Sequence, residues 1–185
     1  IESARKKIAE LVNCTPGEII FTSGGTEADN AIIRCAIETY NIKHAISTPI
    51  EHHAVTHTLE TLEKQGIIAL HYVKLDAQGS VDLIHLEELL KTYPNALVSL
   101  MHANNEIGTI NSIYELAKIA KANNIIFHTD AVQAAAYLDV NIEELGVDLM
   151  SLGGHKFYGP KGVGALYVRK GTPLAPHLTG GGQEF

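Results

Sequence analysis

Residues 151–165 read Ser-Leu-Gly-Gly-His-Lys-Phe-Tyr-Gly-Pro-Lys-Gly-Val-Gly-Ala and place one lysine, Lys156, in a glycine-rich turn. Short apolar segments lie on both sides, at 147–152 and 163–168, and both are typical of buried strands. A lysine held between buried strands loses hydration, which lowers its pKa and leaves more free amine to attack a carbonyl. That is the chemistry of a Schiff-base lysine. The alternative is an ordinary lysine in a surface hairpin.

Strands and helices alternate along the rest of the chain. Helices are predicted at 2–12, 27–39, 52–65 and 83–90, and a further helix begins at Ser112. Asp82 is the predicted N-cap of the fourth helix, and Glu115 stands at capping-box spacing from Ser112. The remaining strands are predicted at 19–22, 45–47, 67–73, 96–101 and 125–128. This order predicts an α/β fold of three layers, α/β/α, with a mostly parallel sheet and no internal domain boundary.

Composition excludes several classes of function. The 185 residues carry a formal net charge of −7 and no basic run, which argues against a nucleic-acid or anionic-membrane surface. No apolar run is long enough to span a bilayer and the first residues do not resemble a secretory signal, so we expect a cytoplasmic protein. Cys14 and Cys35 lack disulfide or zinc-ligand spacing and are expected to be small buried residues.

Polar residues follow several of the predicted strands. Residues 23–26, Ser-Gly-Gly-Thr, separate a strand from a helix, so their backbone N–H groups could hold a phosphate at the helix N-terminus. Asp130 ends a buried strand and needs either a positive partner or several hydrogen bonds, and one suitable partner is a protonated ring nitrogen of a cofactor. Gln133 would lie on the same side. The alternative makes Asp130 an N-cap and Gln133 a surface residue.

Two further polar segments have less specific patterns. His53 and His57 have the i, i+4 spacing of metal ligands on a helix, but no third ligand is evident, and we expect an exposed helix face without a metal. The loop 104–108, Asn-Asn-Glu-Ile-Gly, offers side-chain amides at a strand end, with an ordinary surface turn as the alternative.

Taken together, these segments resemble the cysteine desulfurase family, class V aminotransferase-like pyridoxal-phosphate enzymes with the fold of the aspartate aminotransferase large domain. Six motifs carry the resemblance in the same order as in the family, at 21–30, 51–55, 101–108, 128–133, 154–164 and 180–184. The resemblance implies conversion of cysteine to alanine, with the sulfur passed to an enzyme cysteine. Alternatives within this fold are a selenocysteine lyase or a class V aminotransferase, and outside it a non-catalytic scaffold domain.

The resemblance assigns the catalytic roles to Lys156 and His52. Lys156 is the lysine that attaches pyridoxal 5'-phosphate, and His52 stacks on its ring and takes part in proton transfer. Asp130 is the partner of the ring nitrogen, and Gln133 binds the phenolic oxygen of the ring.

The remaining cofactor-binding residues surround the phosphate and the substrate. Gly25, Thr26 and His155 are implied to bind the phosphate, and Asn105 to lie beside the ring and the substrate carboxylate. The family usually has a serine hydroxyl at position 153, where this chain has glycine. We therefore expect somewhat weaker cofactor binding.

The resemblance also implies features beyond these residues. Neither Cys14 nor Cys35 matches the family's catalytic cysteine, so residues 1–185 are interpreted as an incomplete cofactor-binding large domain that would not complete desulfuration alone. An N-terminal segment and a C-terminal small domain are expected elsewhere in a longer protein. The family resemblance further implies a homodimer, L-cysteine as substrate and a sulfur-acceptor protein as partner.

Overall fold

The computed structural model describes residues 1–180 and contains one seven-stranded sheet. The strands are β1 (Ile19–Thr22), β2 (His44–Ser47), β3 (Ala69–Tyr72), β4 (Ala96–Ser99), β5 (Ile126–Asp130), β6 (Leu149–Gly153) and β7 (Gly164–Val168). Their order across the sheet is β1-β7-β6-β5-β4-β2-β3. Only β7 runs antiparallel to its neighbours, pairing with β6 and β1, so the predicted, mostly parallel sheet is confirmed.

Six α-helices connect these strands in the described residues. They are α1 (Glu2–Val12), α2 (Gly25–Thr39), α3 (His53–Lys64), α4 (Leu83–Thr92), α5 (Ile113–Ala122) and the single-turn α6 (Ile142–Leu145). The Asp82 carboxylate caps α4 by accepting hydrogen bonds from the N–H groups of Ile84 and His85 at 3.0 and 3.1 Å, as predicted. No helix in residues 1–180 combines the length and apolar character needed to cross a membrane.

Two hydrophobic cores lie on opposite faces of the sheet. Successive residues of each strand face opposite sides, so Val98 packs with α4 and α5 while its neighbour Leu97 packs with α2 and α3. Phe127 and Met150 continue the first core, to which α1 and α6 also contribute. The three-layer α/β/α architecture is therefore confirmed.

The structure corrects several predicted details. The strand predicted at 67–73 is shorter, spanning Ala69–Tyr72, and α2 begins two residues earlier than predicted, at Gly25. The capping box at Ser112 is wrong, because the Ser112 side chain makes no capping hydrogen bond. The N–H of Ile113 instead donates to the carbonyl oxygen of Asn111 at 2.9 Å. A helical spacing does not by itself fix the side-chain rotamers that a cap requires.

The carboxyl ends of six strands, β1 to β6, lie at one edge of the sheet. Asp130, the last residue of β5, pairs in register with Ser151 of β6. Beside this pair, the antiparallel pairing of β6 with β7 ends with Gly153 opposite Gly164. The loops that follow these strands therefore converge, as expected for a ligand site in an open α/β sheet.

Candidate functional site

A pocket of about 560 Å³ lies at this edge, a volume within the range of small-molecule sites. All eight residues singled out from the sequence line it: Gly25, Thr26, His52, Asn105, Asp130, Gln133, His155 and Lys156. They come from five separate loops and strand ends. The structure therefore brings together every predicted site residue, while the role of each stays a prediction.

One end of the pocket is the N-terminus of α2. The N–H groups of its first turn have no partner within the helix, and they carry the positive end of the helix dipole. Glu27 accepts hydrogen bonds from the Ser23 N–H at 2.8 Å and from the Ser23 hydroxyl at 2.5 Å, which fixes the turn. This end of the pocket is suited to an anion such as a phosphate group.

A buried carboxylate, that of Asp130, also lines the pocket. Asp130 is 4% exposed, and its Oδ1 accepts a hydrogen bond from the Val132 N–H at 2.8 Å. Burial raises the pKa of Asp130, while the Val132 N–H and the nearby His52 oppose that rise. The N-cap alternative for Asp130 is wrong, because the next helical turn, Ala134–Ala136, has Gln133 as its N-cap. The carboxylate instead orders the turn that follows and lines the pocket, and its pairing with a cofactor stays a prediction.

His52 is the N-cap of α3 as well as a pocket residue. Its Nδ1 accepts a hydrogen bond from the Ala54 N–H at 3.1 Å. In the neutral ring the proton therefore lies on Nε2, which is left available to a ligand. The short segment between β2 and α3 thus fixes both the position and the tautomer of this side chain.

Lys156 also lines the pocket, from the single 3₁₀ turn Gly154–Lys156 that follows β6. The turn is closed by backbone hydrogen bonds from Gly154 N to Val163 O and from Gly159 N to Gly154 O, at 2.9 and 2.8 Å. A Cβ at position 159 would stand 2.7 Å from the Gly154 oxygen, so the turn requires glycine there. Lys156 is half-buried, so the enclosure expected from the flanking strands is incomplete.

Two neighbouring asparagines in the loop after β4 have different environments. Asn104 is buried and structural, because its Nδ2 donates to the Ile50 carbonyl at 2.7 Å and its Oδ1 accepts from the N–H groups of Glu106 and Ile107. Asn105 is exposed and faces the pocket. The loop is therefore a rigid turn that presents one amide side chain.

Glu51, which directly precedes His52, is buried beneath the pocket residues. Its Oε1 accepts hydrogen bonds from the Thr48 hydroxyl and the Met101 N–H, and its Oε2 is buried without a partner. Burial raises the pKa of Glu51 to about 8. His53 and His57, one turn further along α3, are exposed and stack on each other at 4.5 Å between ring centroids.

Four side chains that line the pocket were not predicted: Asp29, Met101, Val132 and Lys161. Asp29 had a recognisable signal, since it stands three residues before Ile32 on the inner face of α2. A charged residue on an apolar helix face indicates a specific environment. Val132 and Lys161 had none, because their positions depend on how separate loops pack.

The residues that line the pocket offer groups suited to an anion and to a cationic ring. The start of α2, the buried carboxylate of Asp130 and the lysine Lys156 all belong to this lining, and the one hydrogen bond to the Asp130 carboxylate falls on Oδ1. Asp29, close to Asp130, adds a buried oxygen with no hydrogen-bond partner. These are the groups that the cofactor implied by the sequence motifs requires.

Comparison with known proteins gives consistent matches over the whole chain. The family model described as Aminotransferase class-V matches residues 1–185. The chain is 52% identical over 187 aligned residues to cysteine desulfurase IscS of Dictyoglomus turgidum, covering 100% of this chain and 47% of that protein. It is 49% identical to cysteine desulfurase IscS of Methanosarcina thermophila, covering 46% of it. The chain thus spans about half the length of these curated relatives.

Solved structures show the same similarity. A NifS-like protein superposes with a TM-score of 0.93 at 43% identity, covering 99% of this chain and 51% of that chain. A structure described as SspA in complex with cysteine superposes with a TM-score of 0.91 at 38% identity, covering 99% of this chain and 53% of the other.

Proposed function

We propose that this chain, which belongs to the aminotransferase class-V family, is the pyridoxal-phosphate-binding part of a cysteine desulfurase. Class V aminotransferases and cysteine desulfurases depend in general on pyridoxal phosphate. The observation that carries the proposal is the convergence of a lysine amine, a buried carboxylate and a helix N-terminus on one pocket. Relatives named cysteine desulfurase, and a structural neighbour described in complex with cysteine, support the choice of substrate.

Pyridoxal phosphate, when bound, supplies an electron sink for the bonds around the α-carbon of an attached amino acid. In the proposal Lys156 attaches the cofactor through Nζ and later holds and moves a proton near the substrate. Asp130 pairs with the ring nitrogen, and the helix N-terminus at Gly25 and Thr26 receives the phosphate.

The remaining predicted residues bind and orient. His52 would cover the ring and present its Nε2, with its orientation fixed by the bond to the Ala54 N–H. Gln133 would donate to the ring oxygen, Asn105 would lie beside the ring and the substrate carboxylate, and His155 would add to the phosphate site. Each role is the one that the family resemblance implies for that position.

The sulfur-accepting thiol is proposed to lie outside this chain. Burial raises the pKa of Cys14 to about 12 and that of Cys35 to about 11, so neither forms a thiolate at neutral pH. Neither lines the pocket. In the proposed reaction the Cβ–S bond of L-cysteine breaks, the sulfur passes to a thiolate of the longer protein as a persulfide, and L-alanine is released.

The proposal is tested by incubating the full-length protein with L-cysteine and a thiol reductant, then measuring alanine and sulfide. We expect equal amounts of both, and a fall of about 100-fold or more in Lys156→Ala. Lys118→Ala, an exposed lysine on α5, is the matched control and should retain the parent rate. Alanine formation that persists in Lys156→Ala would contradict the proposal, and a keto acid product would indicate transamination instead.

The proposal extends to the whole protein as a homodimer that delivers sulfur to an acceptor protein, as the family resemblance implies. Light scattering of the full-length protein tests the dimer. Transfer of radioactive sulfur from cysteine to candidate proteins tests the acceptor.

A further inference from the structure

The pocket contains a second carboxyl group, on Asp29 of α2, to which the proposed function gives no role. Asp29 is 1% exposed, and its Oδ1 has no hydrogen-bond partner. Its carboxylate lies in a compact group with Asp130 and His52, whose ligand-type atoms all fall within 4.8 Å of one another. A buried, unpartnered carboxyl oxygen is costly, so its presence here needs a physical reason.

No fixed positive charge compensates Asp29. The titratable groups that face it are Asp130, Glu51, His52 and His128. The Nε2 of His128 lies 3.7 Å from Asp29 Oδ1, but His128 is fully buried and burial lowers its pKa to about 3. It is therefore neutral. His52 is exposed and interacts with Asp130.

Hydroxyl groups hold the buried histidine beside Asp29. Ser99 Oγ lies 2.9 Å from His128 Nδ1, and Ser151 Oγ lies 3.0 Å from His128 Nε2. Both ring nitrogens are engaged, so the histidine cannot turn away without losing a hydrogen bond. Asp29 thus meets a rigid neutral network on one side and Asp130 on the other.

Two buried carboxyl groups this close cannot both be ionised without a cation. Asp130 is the better anion, because it receives the Val132 N–H and interacts with His52. Burial raises the pKa of Asp29 well above its usual range, and the Asp130 charge raises it further, while a hydrogen bond from Ser151 opposes this. The proton of the pair therefore belongs on Asp29.

We propose that Asp29 is a positioning residue that keeps its proton, so that the Asp29–Asp130 pair carries one negative charge, located on Asp130 and facing the pocket. The ring nitrogen of the bound cofactor then meets a single carboxylate of fixed location. The link to the cofactor rests on the proposed function, whereas the proton on Asp29 is a property of the protein alone.

The proton is tested by infrared spectroscopy of the full-length protein freed of cofactor, at pH 7. Asp29→Asn is expected to remove the carbonyl stretch of one protonated carboxylic acid. Glu51→Gln should remove a different acid band, since the pKa of Glu51 is raised to about 8. Loss of a carboxylate stretch in Asp29→Asn would overturn the proposal. If Asp29→Asn does not fold, the parent protein is labelled with ¹³C-aspartate instead. The label must then shift the carbonyl stretch of a protonated carboxylic acid, and the absence of that shift overturns the proposal equally.

The positioning role is tested by titrating the same protein with pyridoxal phosphate and following its visible absorption. We expect Asp29→Ala to weaken binding at least tenfold and Asp29→Asn, neutral and of the same shape, to recover most of that loss. Asp130→Asn should weaken binding without recovery, because it removes the charge itself. Equal losses in Asp29→Asn and Asp130→Asn would show that Asp29 needs its charge and would overturn the proposal.

The two failures are distinguishable. If the parent shows no cofactor band, the proposed function fails while the infrared result still decides where the proton lies. If the parent binds cofactor but the acid band is absent, the proposed function stands and the inference about Asp29 fails.

Discussion

The side chain of Val132 fills the space that a Cβ at Gly25 would need. An ideal Cβ at position 25 would stand 2.7 Å from Val132 Cγ2, closer than real Cβ contacts allow. Val132 Cγ1 also lies 3.0 Å from the corresponding position at Gly153. Val132, in the turn after Asp130, therefore fills the space that side chains at Gly25 of α2 and Gly153 of β6 would need.

Gly25→Ala should weaken binding of pyridoxal phosphate by about tenfold or more, because the added methyl must displace Val132 or the start of α2. Overpacking of this kind costs about 1–3 kcal/mol. Val132→Ala in the same chain should restore part of the loss, and a double-mutant cycle of dissociation constants measures the coupling. Additive losses would contradict direct contact between the two positions.

Gly153→Ser should tighten cofactor binding by supplying a hydroxyl to the phosphate, since a hydrogen bond to a charged group is worth about 1.5–3 kcal/mol. Because Val132 Cγ1 crowds this position, the gain should be larger in Gly153→Ser with Val132→Ala than in Gly153→Ser alone. Dissociation constants from absorbance titration decide this, with Val132→Ala alone as the control. A dissociation constant that Gly153→Ser leaves unchanged in both backgrounds would refute the prediction.

Glu51→Gln should change how stability depends on pH. The folded state raises the pKa of Glu51 from 4.5 to about 8, so this group's stabilising contribution is fully present below about pH 4.5 and is lost as pH rises through about 8. Glutamine does not ionise, so the Glu51→Gln variant loses no stability in this way. The unfolding free energy of the variant relative to the parent should therefore increase from pH 5 to pH 8, by at most about 1.4 kcal/mol per pH unit. A difference that does not change with pH, in urea unfolding of the cofactor-free protein, would be inconsistent with a protonated Glu51.

His52→Ala should lower stability by about 1 kcal/mol through loss of the α3 cap, and should also lower alanine formation by about 100-fold or more. His52→Asn is the matched variant, because asparagine is a strong N-cap but lacks the ring. It should recover the stability, measured by urea unfolding, without recovering the rate. Recovery of both would mean that His52 acts only as a cap.

The sequence predicts the layers and most of the site because both depend on local patterns. Short apolar runs indicate buried strands such as Ala96–Ser99, and glycine turns such as that before Thr26 mark where strands end. In a parallel sheet those ends share one edge, so residues as distant as Gly25 and Lys156 could be placed in one pocket without knowing any contact.

The remaining features depend on packing between segments. Val132 lines the pocket because the turn that carries it packs against Gly25 and Gly153. The ionisation of Asp29 depends on Asp130, about a hundred residues away in the chain. The predicted cap at Ser112 does not form, and the N–H of Ile113 donates to the Asn111 carbonyl instead.

The central claim is that Lys156 is the residue that attaches pyridoxal phosphate. The most direct test is the visible spectrum of the full-length protein with the cofactor, before and after borohydride reduction, followed by mass mapping of the modified peptide. We predict a long-wavelength band that borohydride fixes covalently on Lys156 in the parent and that is absent in Lys156→Ala. Covalent fixation on another lysine, such as Lys161, or a parent protein with no band, would contradict the account.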